Sequence, residues 1–389
     1  MLLFPTFVPS MQTGIDKYLS QRLEERALAG NKRQLFLVEK GIDFFSNDYL
    51  GIATRNLKNF TETQTVSGST GSRLLSGNSK DAMDLEKFLA DFHQTESALL
   101  FNSGYDANLG LIASVANRHT TILYDELSHA SIIDGIRLSF CKQSFRFKHN
   151  DSKDLEEKLI KYSKENLPVI VIIESVYSME GDINPLEKIA ALCEKYNAAL
   201  IVDEAHATGV FGDKGEGIVQ QFGLQKNVFA RVHTFGKALG CHGAVVVGSK
   251  TLTDYLTNFA RSFIYTTALP PHAIEAIKNS YQFIQNHSEE RGKLHFNIQY
   301  FNQQKKNIRN FYWKKSSSSI QSLIVGNNEL ARLLANHCKE KRINISSILS
   351  PTVAKGEECI RICLHSFNTK EEIDLLLREI SLIIINHID

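Results

Sequence analysis

Leu200-Ile-Val-Asp203-Glu204-Ala205-His206 is an apolar run that breaks off in two carboxylates and a histidine. A short run that is apolar at successive positions must be buried on both faces, the condition of a strand inside a parallel sheet covered by helices. The same form recurs on either side. Residues 97–101 run into Asn102-Ser103-Gly104, 121–124 into Asp125, 168–173 into Glu174-Ser175 and 229–232 into His233-Thr234; a further run covers 243–247. Helix-period segments at 84–92, 154–162 and 186–196 separate them. The alternation predicts an α/β domain with a mostly parallel sheet, and the polar strand ends point to one crowded ligand-binding edge.

Further out the character changes. After Pro270-Pro271 a helical stretch over 272–296 leads to strands near 320–325 and 359–364 and a terminal helix from Lys370. A boundary near 285 therefore divides the chain into an N-terminal helix and segment (1–50), a large domain (51–285) and a smaller α+β domain (286–389) that packs with the N-terminal segment. Residues 14–30 read as an amphipathic helix with Ile15, Leu19, Leu23 and Leu28 on one side and Gly30-Asn31 as its stop. The four serines 316–319 read as a solvated loop or strand edge.

Lys plus Arg number 44 against 43 for Asp plus Glu, a balance that argues against nucleic acid or an acidic membrane as partner. No apolar run reaches the roughly 18 residues of a membrane span. The start, Met1-Leu-Leu-Phe-Pro, has neither a basic region nor a small-residue cleavage site, so no signal peptide is expected. Six cysteines (141, 193, 241, 338, 359, 363) form no CxxC pair and no zinc spacing. They read as reduced thiols of a cytoplasmic protein, with no metal site.

Asp203-Glu204-Ala205-His206 alone resembles the Walker-B box of a helicase, but that box needs a GxxxxGK[ST] phosphate loop. Gly243 to Gly248 has the glycine spacing and continues Ser249-Lys250-Thr251, and Gly236-Lys237 is followed by Ala238, so the loop is missing. A different pairing is chemically complete. Lys237, in Thr234-Phe-Gly-Lys237-Ala-Leu-Gly240, sits just past a buried strand, where partial desolvation lowers an amine's pKa and makes it a usable nucleophile or base. An amine that forms a Schiff base and a carboxylate that keeps a pyridinium protonated are the two demands of pyridoxal 5'-phosphate (PLP) chemistry. Asn102-Ser103-Gly104-Tyr105 precedes an expected helix whose N-terminus could take the phosphate.

With these residues in view, the chain resembles the α-oxoamine synthase family of fold-type-I PLP enzymes. The likeness is carried by Asn47-Asp-Tyr-Leu-Gly51, Gly68-Ser-Thr-Gly-Ser-Arg-Leu-Leu-Ser-Gly77, Phe101-Asn-Ser-Gly-Tyr105, Asp125-Glu-Leu-Ser-His-Ala-Ser131 and Glu174-Ser-Val-Tyr-Ser-Met-Glu-Gly-Asp182. It continues through Val202-Asp-Glu-Ala-His-Ala-Thr-Gly209, Thr234-Phe-Gly-Lys237, Tyr265-Thr-Thr-Ala-Leu-Pro270 and Arg361. The resemblance implies a seven-stranded, mostly parallel sheet flanked by helices and a smaller α+β C-terminal domain. It also implies roles. Lys237 would hold PLP and act as base, Asp203 would pair with the pyridine nitrogen, His129 would stack on the ring, and His206 and Ser178 would approach the phenolic oxygen. Ser103, Gly104, Tyr105 and Thr234 would hold the phosphate, with Thr266 and Thr267 reaching that of the partner in a homodimer with shared sites. Asn47, Arg361 and Thr352 would hold substrate, Arg361 by a two-pronged contact with a carboxylate.

The implied chemistry is decarboxylative condensation of a small amino acid with an acyl thioester. Asp43-Phe-Phe-Ser-Asn-Asp-Tyr-Leu-Gly51 and Ser319-Ile-Gln-Ser-Leu-Ile-Val-Gly-Asn327 are similar to the biotin branch, which joins L-alanine to a pimeloyl group carried by coenzyme A or a carrier protein. A glycine or serine C-acyltransferase, or a catalytically silent relative, is the alternative. Lys32-Arg33 could meet an acyl carboxylate or coenzyme phosphates, or could be a solvated helix end. The sequence departs from the family in Ala354, where many members carry proline, and in Cys359, where some carry a second arginine.

Overall fold

The structure, a computed structural model, describes residues 13–55, 67–163, 167–308 and 312–388. The apolar start at residues 1–8 lies outside them. In chain order the strands are β1 (Ile42–Asp43), β2 (Ser97–Phe101), β3 (Thr121–Asp125), β4 (Gln143–Phe147), β5 (Val169–Glu174), β6 (Ala199–Asp203), β7 (Ala230–Thr234) and β8 (Ala244–Gly248). They continue as β9 (Tyr312–Trp313), β10 (Ile320–Ile324), β11 (Ile343–Asn344), β12 (Ser346–Ile348) and β13 (Cys359–Cys363).

Seven of these form the large sheet in the order β2-β8-β7-β6-β5-β3-β4. Only β8 runs against its neighbours β2 and β7; every other pairing is parallel. Alternation along the strands explains why both faces are apolar. Val171, Ile173, Leu200 and Val202 enter one core, while Ile170, Ile172, Ile201 and Val232 enter a second on the opposite face. Each such side chain, fully buried, contributes roughly 1.5–3 kcal/mol, so the strand ends sit on a rigid base.

Sequence pattern missed β4. It lies at the sheet edge with its residues half-exposed in alternation, so Gln143-Ser-Phe-Arg-Phe147 lacks a continuous apolar run. Its position matters nonetheless. β3 has β4 on one side and β5 on the other, so the winding reverses there, and ligands bind at the strand ends beside such a reversal.

A four-stranded antiparallel sheet, β12-β13-β10-β9, makes the smaller unit, and β1 pairs in parallel with β11. The stretch expected as one helix over 272–296 is two helices, Pro271–Asn286 and Ser288–Gln304, broken at His287. His287 has φ −122° and ψ 60°, which cannot continue a helix. The serine tract is a second correction. Ser316, Ser318 and Ser319 are buried, because the hydroxyls of Ser316 and Ser318 both donate to the Gly181 carbonyl, at 2.7 and 2.6 Å. Helix Gly14–Leu28 forms as expected, with Thr13 and Asp16 as a capping box, but Ile15, Leu19, Leu23 and Leu28 are all exposed. No helix among the described residues is long and apolar enough to cross a membrane.

Candidate active site

The polar strand ends converge as the alternation implies. Asp203 closes β6, and its carboxylate accepts from Asn108 Nδ2 at 2.7 Å and from the Ala205 N–H at 2.8 Å. Asn108 also donates to Ser131 Oγ at 3.0 Å. Glu174 closes β5 as the register partner of Asp203 and accepts the His129 N–H at 2.6 Å. Burial first, then the neighbouring Asp203, pushes the Glu174 carboxyl well above the usual carboxylate range.

Lys237 lies in the turn after β7. Burial pushes its amine down to about 8 against the opposing pull of Asp203 and Glu174, with Arg361 adding to the lowering. Both histidines are held toward the neutral form. His206, buried, lies 2.7 Å from the Tyr49 hydroxyl through Nδ1, and burial together with Lys237, Arg361 and His129 lowers it well below 6.5. His129 caps helix Ala130–Leu138 with Nδ1 accepting the Ser131 N–H at 3.2 Å. Burial and Lys237 lower it while Asp203 opposes. A neutral imidazole can lie on an aromatic face without adding charge to it.

The N-terminus of helix Gly104–Val115 abuts Thr234. Ser103 caps it by accepting the Asp106 N–H, and the Ser103 carbonyl takes that of Ala107, which leaves the N–H groups of Gly104 and Tyr105 for an anion. A Cβ on Gly104 would fall 2.3 Å from Thr234 Oγ1, so only glycine fits this cradle. Asn102 holds Thr266 Oγ1 at 2.9 Å and the Thr267 carbonyl at 2.8 Å within the same chain. Both threonines are therefore fixed beside Asn102, at the end of β2.

Arg361, on β13, comes from the smaller sheet. Its Nε donates to the Ser178 carbonyl at 2.7 Å and its Nη2 to Asn47 Oδ1 at 3.0 Å, while Nη1 lies 3.1 Å from Cys363 Sγ. Ser178 is thus tied to the arginine through its backbone. Cys359 is buried on the same strand, its thiol pushed up to about 12 by burial, and offers no cation where a second arginine would stand. Thr352 is exposed and accepts from Arg33 Nη2 at 3.3 Å.

The sequence marks Glu174 only as a polar strand end and Ser131 and Tyr49 only within motifs, without a role, and it does not single out Asn108. Only spacing hints at Asn108, which lies one helical turn after Gly104 and so on the same face. The arrangement fits PLP on its own geometry: a glycine-only anion cradle, an anchored carboxylate, a partly desolvated amine and a neutral histidine share one edge.

These elements define a PLP-dependent enzyme of fold type I, and the chain belongs to the aminotransferase class I and II family, whose model matches residues 39–380. Within that family its relatives are α-oxoamine synthases. The chain is 39% identical over 379 residues to the 8-amino-7-oxononanoate synthase of Emericella nidulans, covering 90% of this chain and 91% of that one. The solved 8-amino-7-oxononanoate synthase of Francisella tularensis is 31% identical with a TM-score of 0.76, covering 90% and 99%. A serine palmitoyltransferase of S. paucimobilis, solved with PLP bound, is 27% identical with a TM-score of 0.85, covering 95% and 98%.

Proposed function

We propose that this protein condenses L-alanine with a pimeloyl thioester of coenzyme A or a carrier protein, giving 8-amino-7-oxononanoate, CO2 and the free thiol for biotin synthesis. The observation that carries the reading is the 39% identity to an enzyme of that name across nine-tenths of both chains.

When bound, PLP would supply an electron-withdrawing ring that stabilises negative charge at the amino acid's α-carbon. The chain's residues do the rest. Asp203, held by Asn108 and the Ala205 N–H, would pair with the ring nitrogen. His129 and His206, both lowered toward the neutral form, would lie against the ring. Gly104, Tyr105, Ser103 and Thr234 would hold the phosphate at the helix N-terminus, and Thr266 and Thr267 would reach that of the partner in a homodimer. Arg361 and Asn47 hold the alanine carboxylate, which orients the α-C–H toward Lys237. With its pKa lowered to about 8, roughly a fifth of the amine is neutral near pH 7.4, far more than for an ordinary lysine, and that form can take the α-proton. The α-carbon then bonds to the acyl carbon as the thiolate leaves, the carboxylate departs as CO2, and a proton returns to the α-carbon.

Serine or glycine as the amino acid is the competing reading, favoured by the higher TM-score of the serine palmitoyltransferases, 0.85 against 0.76. Steady-state rates with alanine, glycine and serine against pimeloyl, acetyl and palmitoyl thioesters decide. Alanine with pimeloyl should lead, with the product mass of 8-amino-7-oxononanoate; another pair ahead by about tenfold, a gap of 1.4 kcal/mol in transition-state binding, overturns it. A colourless purified protein that takes up no PLP would instead mark a catalytically silent relative. The six unpaired cysteines support a reducing, cytoplasmic setting.

A further inference from the structure

His149, just past β4, lies between two carboxylates. Its Nδ1 is 2.9 Å from Asp125 Oδ1 and its Nε2 is 2.9 Å from Asp182 Oδ2. A neutral imidazole has one N–H and would present a lone pair to one of these oxygens, so the geometry requires both nitrogens to donate. Asn150 Nδ2 braces the same oxygen of Asp182 at 2.6 Å, and the Asn150 N–H reaches Asp125 Oδ2 at 2.9 Å. Glu126 accepts the His149 N–H, the Tyr177 ring packs edge-on at 4.5 Å, and Glu180 feels the imidazolium charge.

Asp125 ends β3 in the large sheet. Asp182 closes a turn whose base is fastened by the Val176–Ile183 bridge and by the Tyr177 N–H to the Asp182 carbonyl at 3.2 Å. Three carbonyls of this turn face the small sheet: Ser178 takes Arg361 Nε, Met179 takes the Ser322 hydroxyl and Gly181 takes Ser316 and Ser318. The turn thus touches Arg361 through the Ser178 carbonyl, and His149 bridges Asp125 of the large sheet to the turn's base.

The geometry points to His149 as a positioning residue for the amino-acid carboxylate, acting through the 176–183 turn and Arg361. It rests on the reading of Arg361 as the carboxylate holder. In the PLP-loaded enzyme, His149→Gln should raise the amino-acid KM about tenfold while kcat, the thioester KM and the cofactor's absorption spectrum stay within about twofold. His149→Arg, which keeps a cation with donors for both carboxylates, should recover most of that loss. In an Arg361→Ala background the His149→Gln effect should vanish, since nothing remains to be positioned. Full additivity in the double variant, or a loss that falls on kcat or on the thioester, overturns the proposal. An amino-acid KM unchanged by Arg361→Ala alone defeats the carboxylate reading itself and takes the proposal with it. If His149→Gln does not fold, Asp182→Asn removes one arm of the bridge and must show the same amino-acid-specific loss.

Discussion

Glu174 and Asp203 end adjacent parallel strands as direct register partners, two buried carboxyl groups side by side at the centre of the site. Two anions cannot share such a place cheaply, and burial followed by the neighbouring Asp203 pushes the Glu174 carboxyl well above the usual carboxylate range. Its raised pKa makes the folded state bind more protons than the unfolded one above pH 4.5. This contribution to stability is full below that value and is lost as pH rises through the raised one. Glu174→Gln, which mimics the protonated form, should keep the His129 anchor and flatten the fall in Tm from pH 5 upward. A steeper fall in the variant contradicts the assignment.

Lys237→Ala should abolish the borohydride-reducible visible absorbance of the enzyme and lower kcat by about 10²–10⁴-fold, the scale of a lost general base. In the apo-protein only the neutral amine attacks an aldehyde. The rate of PLP capture should therefore climb with pH and level off above about 8, where burial sets this lysine, rather than near the ordinary 10.5. Stopped-flow absorbance measures this directly.

Asp203→Asn removes the charge opposite the ring nitrogen while retaining the shape. Activity should drop by about 100-fold or more, with the fold intact by circular dichroism. Asn108→Ala leaves Asp203 charged but loses its 2.7 Å anchor, so its loss should be smaller. Equal losses from the two variants would sink the division of roles.

His149 titrates in the opposite regime to an ordinary histidine. Its two carboxylate partners hold it at about 10 against the cost of burial, so its contribution to stability is full below pH 6.5 and is lost as pH rises through about 10. Wild type should lose Tm between pH 7 and 10, and His149→Gln should start lower and lose less across that range.

Gly181 has φ +72°, and a Cβ there would lie 2.1 Å from the Ile320 carbonyl oxygen. Gly181→Ala should cost about 2–5 kcal/mol by denaturant unfolding, the sum of backbone strain and overpacking. A loss under about 0.5 kcal/mol, the level of a neutral surface change, would show that the turn is not pressed against β10.

Buried parallel strands were legible because burial on both faces leaves an unmistakable apolar run, as in Pro168-Val-Ile-Val-Ile-Ile173. Edge strand β4 was not, since its exposed face puts Ser144 and Arg146 between Gln143, Phe145 and Phe147 and so breaks the apolar run. The serine tract misled for a related reason. Serine looks solvated unless a buried carbonyl waits for its hydroxyl, and the Gly181 carbonyl that waits for Ser316 and Ser318 lies more than a hundred residues away.

Lys237 and Asp203 could be picked out from the sequence alone because Asp203 ends, and Lys237 closely follows, a strand whose burial is written in its neighbours, and strand ends on one edge must share a surface. Which groups would surround them could not be read in the same way. That Glu174 would face Asp203, that Asn108 would hold it, and that His149 would join Asp125 to the turn that contacts Arg361 depend on strand order and register. Those are set by packing between segments far apart in the chain, and no local pattern encodes them.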